Sequence, residues 1–273
     1  MRLTITHITR YNFDDPVAYG LQQLRNTPKS SHQQNVLSWT TKIEGGKQEL
    51  TFEDHHHNKV TLISLDKDTE EVVVTCTGEV EITETHGVVG RHPGPSPLWM
   101  YARVTPRTKA GTGVRGLVKK VEGDTELDRL HDLMRVIHAG IGYEKGSSES
   151  DWTAEQAIEA GKGVCQDHTH VFLACARLMG LPARYVSGYL MLDDRDEQDA
   201  MHAWAEAHVD GLGWVGFDVS NKQCSDARYV RVATGLDYAD AAPVTGTRIG
   251  GGDEELAVEI AVAQSGAQRQ FQQ

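Results

Sequence analysis

A chain of 273 residues with 39% hydrophobic content can bury a core and fold as one or two domains. Its 27 Lys and Arg stand against 39 Asp and Glu, and the net charge of −12 works against non-specific attraction to phosphate backbones or anionic lipid. Nucleic acid and membrane are therefore not expected partners. The opening MRLTITHITRYNF lacks the basic-then-apolar order of a leader, and no stretch approaches the roughly 20 apolar residues that cross a bilayer. A cytoplasmic protein is expected.

From Met1 to about Thr85 the sequence alternates apolar and polar residues in LTITHITRYNF, NVLSWTTKI, KVTLISL and EEVVVTCTGEVEI, with turn residues between them. This predicts an all-β, sandwich-like module, with the histidines at 55–57 in a turn. The segment THGVVGRHPGPSPLWM concentrates Gly and Pro and reads as a linker. The boundary is placed near residue 100, giving a β-rich domain over 1–100 and a second domain over 101–273.

Beyond the boundary the period changes. DTELDRLHDLMRVIHAGI carries Leu127, Leu130, Leu133, Met134 and Ile137 at helical spacing, and DWTAEQAIEAG opens on an acid and closes on glycine, so both predict helices. A third helix follows GKGVC, its apolar stripe of Val171, Phe172, Cys175, Leu178 and Met179 ending at Gly180 and Pro182. Strand patterns follow in ARYVSGYLM, AMHAWAEAHV and GWVGFDV, and weakly in LAVEIAV. The second domain is predicted to be α+β. The glutamine-rich end AQSGAQRQFQQ reads as a frayed tail.

Cys76, Cys165, Cys175 and Cys224 are too few and too scattered for a disulfide framework, and none forms a CxxC pair. Cys165 differs from the others by falling in the first turn of the third helix. Unpaired N–H groups and the positive end of the helix dipole favour a thiolate there, and the same N–H groups can hold an oxyanion. The bland alternative is a small buried hydrophobe, which is how Cys76 and Cys175 read.

A base for this thiol must come from elsewhere in the chain. AMHAWAEAHVDGLGWVGFDVSN reads as a hairpin, with His202, Trp204, Glu206 and His208 on one face of its first strand and Trp214, Gly216 and Asp218 on one face of its second. A register pairing His208 with Trp214 or Leu212 sets Asp218 diagonal or opposite to His202. A strand histidine and aspartate can equally be an exposed polar pair. Within reach of a thiol, they would follow the logic of nucleophile, base and orienter.

GKGVCQDHTHVFLACARLMGLPARYVSGYL followed by AMHAWAEAHVDGLGWVGFDVSN resembles the core of bacterial transglutaminase-like proteins. MRLTITHITRYNFDDPV resembles the β-rich N-terminal region of that family, and LDYADAAPVTGTRIGG its usual tail. The resemblance implies a papain-like, transglutaminase-like α+β catalytic domain with Cys165, His202 and Asp218 as its triad. Two departures stand near the site: QDHTH, where relatives commonly carry an aromatic and a small residue before the second histidine, and FDVSN, where they often have FDPTN. The first sets His168 on the helix face of Cys165. Gln166 and Asp167 flank the nucleophile and are expected to shape the substrate pocket.

The expected activity is cysteine-dependent acyl transfer on an amide or peptide bond through a thioester, with hydrolysis preferred. The alternatives are amine transfer, as in a protein-glutamine transglutaminase, and a non-catalytic peptide-binding module with an idle triad. The expected partner is a protein or peptide substrate. Cys165, His168, His170, His202 and His208 include no short ligand motif such as HExxH, and the run LDDRDEQD lacks the EF-hand pattern, so no metal or other cofactor is expected. Tyr143, Trp152, Trp204 and Tyr238 are groove candidates, although such aromatics more often fill a core.

Overall fold

The structure is a computed structural model and describes residues 1–92 and 96–266. The glutamine-rich tail expected to fray lies mostly outside them. The spine of the first sheet is a single long strand, Arg2–Thr27, in which Leu3, Ile5, Tyr11 and Phe13 point inward at every second position. Its first half pairs with Thr69–Ile82 on one side and with Glu254–Gln264 on the other. Its second half pairs with Lys59–Leu65 and Val244–Gly250. The register breaks between Asn12 and Val17, where Asp14, Asp15 and Pro16 interrupt the alternation and Pro16 has no N–H to give to a ladder. Gln34–Glu44 extends the sheet beyond Thr69–Ile82, and Gly46–Glu53 extends it beyond Lys59–Leu65.

The second sheet runs in the order Tyr229–Gly235, Ala183–Leu190, His202–Val209, Gly213–Phe217, Val88–Gly90, antiparallel throughout. Four helices cover one of its faces: Thr112–Val118, Glu126–Gly140, Ala154–Ala160 and Cys165–Leu178. The other face packs against the first sheet, where Leu3, Ile5, Val80 and Ile260 meet Tyr189, Val230 and Val232. Ala183–Leu190 is therefore buried along its whole length and reads as a continuous run rather than an alternation. This arrangement is a β-rich region plus an α+β core, the fold class expected from the sequence.

Several elements depart from the sequence reading. The chain from Val244 onward lies in the second domain by position, yet its two strands pair with Arg2–Thr27 and complete the first sheet. Within the expected linker, Val88–Gly90 forms an edge of the second sheet. Gly46–Glu53 carries almost no buried residue, so its pairing left no hydrophobic period to read. The strand Tyr229–Gly235 and the helix Thr112–Val118 are also additions.

That seven-residue helix has no side-chain cap of its own. Instead Glu155, from the helix Ala154–Ala160, accepts the backbone N–H groups of Gly111, Gly113 and Val114 at 2.7, 2.9 and 2.9 Å. Burial alone would raise the Glu155 pKa, but the three N–H donors outweigh it and hold the carboxyl below its usual range. A depressed acid contributes stability above its unfolded pKa, and that contribution is lost as pH falls through its folded value. Glu155→Gln is expected to lose roughly 1.5–3 kcal/mol at neutral pH and to narrow the gap to wild type as pH drops below 4. Urea titrations at both pH values measure this.

Candidate active site

Cys165 is the first residue of the helix Cys165–Leu178 and is half-buried, with a free thiol. A two-residue parallel pairing of Gly142–Tyr143 with Lys162–Gly163 leads the chain into it. Asp167 Oδ2 folds back to accept the Val164 N–H at 2.8 Å and the Ser148 hydroxyl at 2.6 Å, satisfying one of the helix's orphan donors. Only a glycine fits at 163, because a Cβ there would stand 2.7 Å from the Asp167 Cβ. Gln166 Nε2 donates to the Ser150 carbonyl at 2.9 Å. Gln166 and Asp167 are thus tied to the 148–150 loop, and neither is among the residues lining the cleft at Cys165.

The helix lies on the strand His202–Val209, whose inward Ala203, Ala205 and Ala207 are nearly or wholly buried and whose small side chains allow close approach. At the start of that strand, the His202 side chain is 11% exposed and its Nε2 donates to Asp218 Oδ2 at 2.6 Å. The hairpin register pairs His208 with Trp214, one of the two registers expected, so Asp218 is diagonal to His202. Asp218 Oδ2 also accepts from Asn221 Nδ2 and the Tyr229 hydroxyl, each at 2.7 Å, and Oδ1 accepts the Asn221 N–H at 3.2 Å. Burial would raise the Asp218 pKa, but the His202 charge and these donors hold it below the usual carboxylate range. Burial likewise works against a charged His202, yet Asp218 prevails and the imidazole pKa rises to about 10, with the Cys165 sulfur beside the ring adding to the effect. Asp218 occupies Nε2 and leaves Nδ1 as the nitrogen for Cys165.

His168, one helical turn on from Cys165, is buried. Its Nε2–H donates to the Ile141 carbonyl at 3.1 Å, so Nδ1 must accept from the Ser220 hydroxyl at 2.8 Å. Burial lowers its pKa, and the neutral ring braces the loop after Asp218. His170 is fully buried, its Nε2 accepting the Tyr238 N–H at 3.2 Å, and burial pushes its pKa to about 3. No group of three or more His, Cys, Asp or Glu is arranged to hold a metal ion among the described residues.

Asn221 and Tyr229 are the site residues the sequence reading missed. Asn221 had a signal, since Asp and Asn three apart across a turn are suited to local side-chain hydrogen bonding. Tyr229 had little, because its strand was not recognised. Trp204 is core, stacked at 6.2 Å beside His202. Tyr143 does line the cleft and is 51% exposed.

The cleft has a volume of about 1120 Å³ and three walls. Cys165, His202 and Asn221 belong to the core, Thr6, Val258 and Ile260 belong to the first sheet, and the segment 195–201 forms the third wall. Lys145 Nζ bonds both Asp199 carboxylate oxygens at 3.0 Å within it. Cys76 and Cys175 are buried, whereas Cys165 and Cys224 are half-buried. Burial pushes Cys76 up to about 11 and Cys175 up to about 12. At pH 8 iodoacetamide is expected to label Cys165 first, with Cys76 and Cys175 following only on unfolding, as peptide mapping of a labelling time course would record.

Residues 3–81 match the bacterial transglutaminase-like N-terminal region, and residues 115–219 match the transglutaminase-like superfamily. An uncharacterised protein of Mycobacterium leprae is 26% identical, with 96% of this chain and 98% of that protein covered. An uncharacterised protein of Mycobacterium tuberculosis is 27% identical, with 90% and 87% covered. The crystal structure of a candidate cysteine protease from Cytophaga hutchinsonii superposes with a TM-score of 0.79 at 20% identity over 98% of this chain and 92% of that one, a likeness of fold. No helix among the described residues is long and apolar enough to cross a membrane. By its core at 115–219 and its N-terminal region at 3–81, the chain belongs to the transglutaminase-like superfamily.

Proposed function

We propose that the protein is a cysteine-dependent acyl-transfer enzyme that hydrolyses amide or peptide bonds, with Cys165 as nucleophile, His202 as acid and base, and Asp218 as the orienting carboxylate. The observation that carries this reading is the bond from His202 Nε2 to Asp218 at 2.6 Å, which turns the ring's other nitrogen to a helix N-terminal thiol in the same cleft. With its charge supported by Asp218, the imidazolium can coexist with a thiolate.

The Cys165 thiolate attacks the carbonyl carbon, and the oxyanion develops near the N–H groups of the helix's first turn. As the C–N bond breaks, His202 Nδ1–H gives its proton to the leaving amine, and a thioester remains on Cys165. The neutral imidazole then takes a proton from water as the water oxygen attacks the thioester. The C–S bond breaks, the carboxylic acid leaves and the thiolate–imidazolium pair is restored. Asp218 keeps the ring in one orientation through both halves. Hydrolysis is favoured over amine transfer because charged Lys145, Arg195, Glu197 and Asp199 line the cleft and keep it wetted, whereas amine transfer needs water excluded.

The test is capture of the acyl-enzyme. Intact mass spectrometry after rapid mixing with an activated peptide ester should give one adduct on Cys165, discharged by water faster than by added primary amine. Faster discharge by amine would make the protein a transglutaminase, and no adduct would leave the idle-module reading.

A further inference from the structure

A second cavity of about 710 Å³ shares no lining residue with the cleft at Cys165. Its wall includes Lys29, Ser30, Ser31, Arg91, Arg184 and Arg231, and no Asp or Glu lines it among the described residues. In a chain of net charge −12 this is an uncommon concentration of one sign. Behind the wall, Arg184 and Arg231 converge on one carboxylate. Fully buried Glu206 meets Arg184 Nη2 at 2.6 Å and Arg231 Nε at 2.6 Å. Two guanidiniums on one carboxylate leave a net positive charge, and the Arg184 guanidinium carbon lies over the Trp214 ring, 4.0 Å from its centre.

Lys29 adds a second charge. Its ammonium makes no hydrogen bond among the described residues, and burial pushes its pKa down to about 8 against the pull of Glu53 and Asp54. Asp54 is already committed to Arg25, Asn58 and the His56 N–H. Arg91 contributes a third charge. The hydroxyl oxygens of Ser30 and Ser31 accept the Val36 and Gln34 N–H groups, leaving both hydroxyl hydrogens to donate. Such a lining is rich in donors and lacks a carboxylate, and uncompensated charge in a partly desolvated site is costly until an anion meets it.

We propose that this cavity is a binding site for a small polyanion of the phosphate class, held by Lys29, Arg91 and Arg231 with the Ser30 and Ser31 hydroxyls. A single negative charge would leave most of the excess unmatched. A phosphoryl group presents several acceptor oxygens at once and so fits separate donors arranged around one space.

Inorganic pyrophosphate is the probe, titrated into the full-length protein by calorimetry at about 150 mM salt, where surface attraction is largely screened. Saturable binding with one site per chain is expected, with citrate binding more weakly. Lys29→Met keeps the apolar stem of the side chain and should weaken pyrophosphate at least about tenfold, the loss expected for one charge-assisted contact. It should also melt no lower than wild type without ligand, because it removes an uncompensated charge. If Lys29→Met melts lower, the affinity is read in Arg91→Gln, an exposed position, which must then carry the tenfold loss. Absence of saturable binding at millimolar pyrophosphate, unchanged affinity in the variant read, or tighter binding of citrate would each overturn the proposal. The alkylation rate of Cys165 should be the same with and without pyrophosphate, so the outcome is independent of the catalytic reading.

Discussion

His202→Ala is expected to reduce single-turnover acylation by roughly 10²-fold to 10⁴-fold, the usual contribution of a positioned general acid or base, while Asp218→Asn should fall between it and wild type. The geometry around Asp218 explains why asparagine is partial. Its Oδ2 accepts from His202, Asn221 and Tyr229, while among the described residues Oδ1 accepts only the Asn221 N–H at 3.2 Å. An amide with its oxygen in the Oδ2 position keeps all three stronger contacts and opposes an NH₂ to a single N–H. The opposite rotamer would point its NH₂ at three donors. One orientation is therefore fixed, the ring stays in place, and the charge that supports the imidazolium is lost. This should cost less than the about 10⁴-fold drop known for a serine-protease triad, where the amide imposes the wrong tautomer. Equal acylation rates in wild type and both variants would end the assignment of either residue to Cys165.

The same charge sets the basic side of the pH profile. In wild type, acylation should persist until the imidazolium titrates, near pH 10, and in Asp218→Asn the limb should move down toward the ordinary histidine range. The stability consequence has a definite sign. The raised His202 pKa contributes stability that is complete below about 6.5 and is lost as pH rises through about 10. Asp218, held low, contributes stability above its ordinary value near 3.8, which is lost as pH falls through its folded value. These are two ends of one coupled interaction, so Asp218→Asn should flatten the stability profile at both.

Much of this arrangement was legible because it follows from period and parity. Alternation in LTITHITRYNF gave the first strand, and either of the two registers expected for the hairpin put His202 and Asp218 on one face. Elements were lost where burial did not write a pattern into the sequence. Gly46–Glu53 is exposed nearly throughout, and the short Val88–Gly90 belongs to the second sheet only because Trp214 and Val215 of a distant segment pair with it. The return of Glu254–Gln264 to the first strand is likewise a long-range pairing, invisible to any local window. The partners of His168 were not legible for a different reason. Helical spacing puts it one turn from Cys165, but spacing does not choose a rotamer, and the Ile141 carbonyl and Ser220 hydroxyl draw the ring into the interior.

Arg177 carries the largest expected effect on stability. It lies in the last turn of the helix that begins at Cys165 and is 6% exposed, and no ion pair with it is found among the described residues. Its guanidinium serves backbone instead: Nε donates to Tyr101 O at 3.1 Å, Nη2 to Ala183 O at 2.8 Å and Leu236 O at 2.5 Å, and Nη1 to Thr108 Oγ1 at 2.8 Å. Burial pulls its pKa down to about 10, while Asp237, Asp240 and the helix C-terminus favour its charge. The side chain therefore joins the 3₁₀ turn Leu98–Ala102, the segment around Thr108, the start of Ala183–Leu190 and the loop at Leu236 to the helix that presents Cys165. Arg177→Met fills the stem's volume but strands three carbonyls and a hydroxyl, and an unmet buried group costs about 1–3 kcal/mol. A total loss of roughly 3–5 kcal/mol is expected, or about 10 °C in the melting midpoint at this chain length. Arg177→Lys, with three donors on a point charge, cannot span the same set and should fall between the two. Thermal unfolding of the three proteins gives the order directly. An Arg177→Met protein melting within a degree or two of wild type would mean that these carbonyls find other partners, and that the arginine is not what fixes the far end of the helix.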